Sequence, residues 1–302
     1  MKHISIIIPA KNESKNIQSV IENWNGDSFD WIELVFVTGG STDDTLDKLY
    51  EFRNKFLYCF KSILIHDMKE SGVLNAVKTG IELANEYYVM FHSMNDPMAM
   101  IQVWNIYQER LKYDDDVHVV VNHEIKNEFG KYITTWKVNI NADVREYLHE
   151  ELVLGYGRLS IADSIFARSV VLPAYYEMER RLKAVGLTEF KVCFDVMLMD
   201  QMILMGLIKY VVLSETKATF VIGTKNNSLD KKKRIQDIPI VLANIYSQIK
   251  HAYKPEDTIY LSAKMKKAAE HNYGLIDGES FVKNYLMYCA LFDAVESKQV
   301  VY

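Results

Sequence analysis

The first stretch of the chain, HISIIIPA over residues 3–10, is a run of β-branched residues stopped by Pro9, which predicts a strand buried on both faces. A helix should follow from Ser14, a capping residue, with Ile17, Val20, Ile21 and Trp24 on one face. WIELVFVTGG, residues 31–40, predicts the second strand, and its GGSTDDT exit leads into a helix bearing Leu46, Leu49, Tyr50 and Phe52. A third strand is expected over 60–66, then a turn at Gly72, a helix over 73–83 and a fourth strand over 87–91. Strands alternating with helices in this way predict an α/β fold with a mostly parallel sheet flanked by helices.

After Pro97 the pattern loosens. It predicts a helix over 99–111, a strand over 117–122 with an antiparallel partner over 131–138, an apolar helix over 196–205, and strands over 208–213 and 218–222. From about residue 238 the chain looks helical, with Val241, Leu242, Ile245 and Ile249 on one face. The basic run 231–234 reads as a solvated linker, dividing a sheet-bearing domain, 1–230, from a C-terminal helical region, 231–302. Asp200 and Gln201, inside the apolar helix, are expected at solvent or an interface.

Composition narrows the function classes. Of 302 residues, 49% are apolar and 25% charged, which supports a sizeable core and argues against disorder. A net charge of −5 excludes nucleic acid as the expected partner, because phosphate-backbone binding needs a dominant basic surface. Cys59, Cys193 and Cys289 lie far apart without metal-site spacing, which fits a reducing compartment. No leader pattern and no apolar run of spanning length is evident, so a cytoplasmic location is expected, with a peripheral membrane contact left open.

The residues suited to chemistry lie where predicted strands end. Gly39 and Gly40 would let a ligand approach the backbone, and the helix N-terminus after them favours negative charge, which suits a nucleoside diphosphate. Asp96 follows the fourth strand, at the sheet edge where open α/β folds bind ligands; equally, Asn-Asp-Pro makes a good turn. The eight histidines form no nucleophilic or metal array, and His92 reads as a core or lining residue.

Four segments in order, SIIIPAKNES, VFVTGGSTDDTLDKL, SGVLNAVKTGIELANEYYVMFHSMNDP and FKVCFDVMLMDQMILMG, resemble the GT-A glycosyltransferases of family 2 over roughly residues 1–229. The first is similar to that family's opening strand and Pro-x-x-Asn-Glu turn, and the second to its Asp-Gly-Gly-Ser-Thr-Asp-Gly-Thr loop. The third is similar to its glycine turn, Asn-x-Gly helix and Asp-x-Asp strand end. The resemblance implies a GT-A, Rossmann-like sheet with a C-terminal helical extension. It also implies an inverting transfer of sugar from a nucleotide-diphosphate donor to a saccharide or lipid-linked acceptor, as in polysaccharide biosynthesis.

On that resemblance, Pro9, Asn12, Glu13, Thr38, Gly40, Ser41, Gly72, Asn75, Lys78 and Asn95 are expected around the nucleotide, and Asp96 at a divalent metal, Mn or Mg. Asp195, ahead of the apolar helix, takes the place of the family's catalytic Asp. The departures are as informative. Thr38 stands where the family usually has the acid that contacts the base, and Ser93 and Asn95 stand where acids are common, so the expected metal binding is weak. These losses keep a second reading open, a glycosyltransferase-like binding or scaffold subunit without turnover. A nucleotidyltransferase ranks lower, for want of a glycine-rich N-terminal loop ending in a basic residue. A homo-oligomer stays open.

Overall fold

The structure is a computed structural model that describes residues 2–23, 26–69, 72–94, 100–112, 117–127, 129–138, 148, 161–187, 194–222, 231–250 and 278–299. It divides into two compact units, Met1–Val138 with Ile161–Leu172 and Val211–Thr224, and Asn139–Ser160 with Pro173–Tyr210 and Lys225–Tyr302.

The first unit runs β1 (Ile4–Ala10), α1 (Ser14–Asn23), β2 (Phe29–Gly39), α2 (Thr45–Phe56), a 3-10 turn (Leu57–Cys59), β3 (Phe60–Met68), α3 (Val73–Leu83) and β4 (Tyr88–Phe91). It continues through α4 (Met100–Arg110), β5 (His118–Asn127), β6 (Tyr132–Trp136), β7 (Phe166–Ala167) and β8 (Val211–Ile222). Among the described residues one sheet has the order β3-β2-β1-β4-β7, parallel except for the β4–β7 pair, and a second has the order β6-β5-β8. The expected mainly parallel α/β sheet is thus the observed one. Isolated bridges from Ala162 to Phe91 and from Ile165 to Val119 lay the segment before β7 between β4 and β5.

The alternation of side chains along β1 and β2 assigns the two faces. Ile4, Ile6, Ile8, Leu34 and Phe36 cluster with Ile17 and Ile21 of α1, Leu49, Phe52 and Phe56 of α2, and Val103, Ile106 and Tyr107 of α4. Helix α3 packs on β1 and β2 from the other face, where a Cβ on Gly80 would stand 2.3 Å from Ile7 Cγ2. Only a glycine lets the helix sit that close.

Glu33 interrupts the apolar run of β2 and is buried. It pairs in register with Ser5 on β1 and Ser62 on β3, forming a polar row across three strands. Its carboxylate accepts from Ser5 Oγ at 2.7 Å, Ser62 Oγ at 3.1 Å, and the Asn85 N–H and Nδ2 at 2.8 and 3.0 Å. Four donors satisfy the buried charge and bind the end of α3 to the amino edge of the sheet.

Several elements differ from the sequence pattern. The two strands expected over 208–213 and 218–222 are one, β8, whose register against β5 shifts between Val120 and Asn122. The irregularity at 214–216 is held by α4: Glu109 accepts from the Glu215 and Thr216 N–H groups at 2.9 and 3.2 Å. Residues 231–234 open a helix rather than forming a linker. That helix, in the second unit, carries Pro239 and is α7 (Lys231–Ile249). Helix α5 (Arg168–Ala184), which the pattern did not announce, begins in the first unit and ends in the second.

The second unit also holds α6 (Phe194–Leu204) and α8 (Gly278–Gln299). Asp200 and Gln201 are not at solvent; both are fully buried in α6, where Gln201 exchanges side-chain hydrogen bonds with Asn244 and Gln248 of α7. Arg181 of α5, also buried, donates to Asn244 Oδ1 at 2.6 Å and Ser247 Oγ at 2.7 Å and lies 5.1 Å from the Phe292 ring centre. Among the described residues no helix is long and apolar enough to cross a membrane.

Replacing a helical glycine by alanine ordinarily stabilises by about 0.5–1 kcal/mol. Gly80→Ala should instead destabilise by about 1–3 kcal/mol, because the new methyl meets the rigid branch of Ile7. Equilibrium denaturation checks this; a more stable variant would mean that α3 is not seated as described.

Candidate functional site

The strand order reverses at β1: β2 and β3 lie to one side and β4 to the other, and open α/β sheets bind ligands at the carboxyl edge of such a switch point. On one side of this switch point the exits of β1 and β2 are stitched together. Asn12 sits at φ +58, a left-handed setting that a short amide side chain tolerates. Its Oδ1 accepts from the Thr42 N–H at 2.8 Å, while its own N–H donates to Ser41 Oγ at 3.2 Å. The Glu13 N–H donates to Thr45 Oγ1 at 2.8 Å, and the Ser14 N–H to Asp43 Oδ2 at 3.3 Å. Burial would raise the Asp43 carboxyl, but hydrogen bonds from Thr45 and Ser14 outweigh it and hold the group below the usual carboxylate range.

Gly40, at φ +64, makes the turn out of β2, and Thr38 Oγ1 and Ser41 Oγ share a hydrogen bond of 3.2 Å. Thr38 is buried, so its hydroxyl serves the loop from within. Across the sheet edge Gly72, at φ +147, caps α3, with Asn75 exposed and Lys78 half-buried on its first turns. The N-termini of α2 and α3 thus both start from the carboxyl edge, the kind of place that favours an anion; at α2 the Thr45 N–H already donates to Asp43 Oδ1 at 3.1 Å.

At the end of β4 lies a buried polar cluster. The His92 N–H extends the ladder by donating to Ile7 O at 2.9 Å, and its ring Nδ1 is 2.7 Å from Asp163 Oδ1. His123 Nε2, from β5, is 3.3 Å from Asp163 Oδ2. An ionised carboxylate only accepts, so each imidazole carries its proton on the nitrogen facing Asp163. Burial alone would raise the Asp163 carboxyl; the charge of His92 and the hydrogen bonds from His123 and His92 overcome that and hold it far below the usual range. Asp163 has φ +54, and its N–H donates to Phe91 O at 2.8 Å. A small cleft beside it, lined by Met90, Gln102, Ile106 and Thr219, has room for about one water.

Of the residues expected at the nucleotide, Asn12, Glu13, Thr38, Gly40 and Ser41 therefore share one bonded wall, with Pro9 on the strand behind it; Gly72, Asn75 and Lys78 open α3 at the same edge. Asn95 and Asp96 lie outside the described residues. Asp195 is half-exposed in the first turn of α6, in the second unit. Sequence reasoning did not single out Asp43, Asp163 or His123. Asp43 stood in the quoted GGSTDDT loop and could have been found there as a capping acid; the other two carry no local signal. Among the described residues no group of three His, Cys, Asp or Glu side chains could hold a metal ion, and the His92 imidazole is engaged by Asp163. These residues alone do not fit a hard divalent cation.

Residues 5–96, which span β1 to the end of β4, match the family described as glycosyl transferase family 2. That segment is similar to family 2, and it makes up about a third of this chain. Over 94 residues it is 35% identical to a Methanococcus voltae dolichyl N-acetyl-α-D-glucosaminyl phosphate 3-β-D-2,3-diacetamido-2,3-dideoxy-β-D-glucuronosyltransferase, covering 30% of this chain and 29% of that one. A PGL/p-HBAD biosynthesis glycosyltransferase of Mycobacterium bovis is 31% identical over 94 residues, 31% of this chain and 36% of its own. The matched segment is thus about a third of the curated relatives' length. In fold the likeness runs further. S. aureus TarS, solved over residues 1–349 with UDP-GlcNAc, superposes with a TM-score of 0.55 at 13% identity, covering 98% of this chain and 92% of its own. The mannosyltransferase PcManGT of Pyrobaculum calidifontis, solved with GDP-Man and Mn2+, gives 0.52 at 14% identity, covering 99% and 87%.

The stabilisation from Asp163 has a definite pH window. Because its carboxyl is depressed in the folded state, the contribution is complete above the unfolded value of about 3.9 and is lost as pH falls below it. Asp163→Asn should destabilise the protein at pH 7 by about 1–3 kcal/mol and flatten the acid limb of its stability profile below about pH 4. Denaturant titrations across pH check both; an unchanged acid limb would show that Asp163 is not the charged hub of the cluster.

Proposed function

We propose that the protein is an inverting glycosyltransferase that takes a sugar from a nucleotide-diphosphate donor to a saccharide or lipid-linked acceptor. The observation that carries this reading is the wall at the switch point, where the loops after β1 and β2 are locked to each other beside two helix N-termini. Such an edge offers fixed backbone donors to a diphosphate at no cost of reorganisation. The family 2 match covers this part of the chain.

In the proposed reaction Asp195 takes the proton of the acceptor hydroxyl as its oxygen attacks the anomeric carbon. The bond from that carbon to the donor diphosphate breaks, and the nucleoside diphosphate leaves with the electron pair. Asn12, Glu13, Thr38, Gly40 and Ser41 line the nucleoside side, Pro9 backs them, and Gly72, Asn75 and Lys78 approach the phosphates. Asp96, with Asn95 and Ser93, would supply oxygens to a divalent ion, which when bound neutralises charge on the leaving group. With one carboxylate, that ion should bind weakly, in the millimolar range.

Thermal-shift measurements with UDP, GDP, CMP and dTDP, each with and without manganese, test the donor site, since selective binding raises the unfolding temperature by mass action. One nucleotide should stand out; no shift with any of them would favour a binding subunit without turnover. Asp195→Asn should leave nucleotide binding intact and lower turnover by roughly 10²–10⁴-fold. Full turnover in that variant would remove Asp195 from the mechanism. Asp96→Ala should abolish transfer and any manganese-dependent nucleotide binding, whereas Ser93→Asp with Asn95→Asp should tighten manganese binding in calorimetry. Tight binding in the unmodified protein would mean that other carboxylates complete the site.

A further inference from the structure

We propose that Asp163, His92 and His123 are positioning residues for the donor site: the carboxylate draws the two imidazoles together and thereby fixes the end of β4 beside the switch point. This rests on the donor-site reading above. Three observations support it. His92 is the first residue beyond β4, so whatever holds its ring also holds the end of that strand at the carboxyl edge, with Ser93 and Met94 next along the chain. Asp163 grips that point twice, through its N–H to Phe91 O at 2.8 Å and its carboxylate to His92 Nδ1 at 2.7 Å. His123 anchors the same carboxylate to β5, whose strand is independently bridged to the 161–167 segment at Val119 and Ile165.

Asp163 itself occupies a left-handed backbone position, at φ +54, where glycine would turn the chain without strain. The aspartate is suited to that place by what its side chain does. Buried as it is, the carboxylate would be costly without both imidazoles, so the three groups hold one arrangement together or lose it together. A cluster serving only to close the core could lie anywhere along the sheet. This one lies at the carboxyl edge beside the switch point, and the buried carboxylate of Glu33 already bonds the strands at the opposite edge.

The contrast between the two edges supplies the experiment. Asp163→Asn and His92→Leu should each weaken binding of the nucleoside diphosphate selected by the thermal-shift screen, and raise the KM for its sugar nucleotide, by about tenfold or more. Both readouts are taken below the variant's unfolding temperature, the binding by calorimetry. His92→Asn, whose amide can donate from nearly the place of Nδ1, should keep affinity within about threefold of wild type. Glu33→Gln should lower the unfolding temperature without changing donor affinity. If Asp163→Asn does not fold, His92→Leu decides by the same comparison. Wild-type donor affinity and KM in a folded Asp163→Asn or His92→Leu protein would overturn the proposal, as would an equal loss in Glu33→Gln. A wild-type protein that binds no nucleoside diphosphate and transfers no sugar would instead overturn the donor-site reading, and the positioning role with it.

Discussion

The first unit depends on β1 lying in the middle of a parallel sheet, buried on both faces. Its even-numbered isoleucines face α1, α2 and α4, while Ile7 faces α3 at the one place where Gly80 lets the helix come down onto the strand. Because β2 pairs on one side and β4 on the other, the chain must leave β1 at the point where the connections change direction. A crevice at the carboxyl edge is a geometric consequence of that order, and the loops that meet there are held by hydrogen bonds between main chain and short polar side chains.

Two buried carboxylates brace the sheet from opposite ends by different means. Glu33 accepts from neutral hydroxyl, amide and backbone donors in a row set by strand register, so its partners follow once the strands pair. Asp163 accepts from two imidazoles, one just past β4 and one on β5, and sits in a left-handed turn that is itself bonded to β4. The first arrangement insulates a charge with fixed dipoles. The second ties the charge to side chains from separate parts of the chain, so its partners meet only when β4, β5 and the 161–167 segment are all in place.

The second unit is organised by polar contacts inside an otherwise apolar helical core. Arg181 reaches Asn244 and Ser247 on α7 and stacks near Phe292 on α8, and Gln201 on α6 meets the same Asn244. Buried amide and guanidinium groups have few ways of being satisfied together, so such a network selects one helix register among the many that apolar packing alone would accept.

The sequence by itself determined the elements whose signal is local. The β-branched runs of β1 and β2, the apolar faces of α1 and α3 and the glycines at 40 and 72 follow from short-range sterics and hydrogen bonding, and they appear where the pattern put them. What only the tertiary structure decided is which polar residues meet. Glu33 inside an apolar run, Asp163 with a histidine 71 positions before it and another 40 before it, and Asp200 and Gln201 in the core of α6 have no periodicity to announce them. The start of α7 in the basic run 231–234 was hidden for a related reason. Charge indicates solvent, but a helix needs solvent on only one face, and packing against α6 and α8 decides whether the helix forms. Pairing across strands and helices depends on register and topology, which no local window contains.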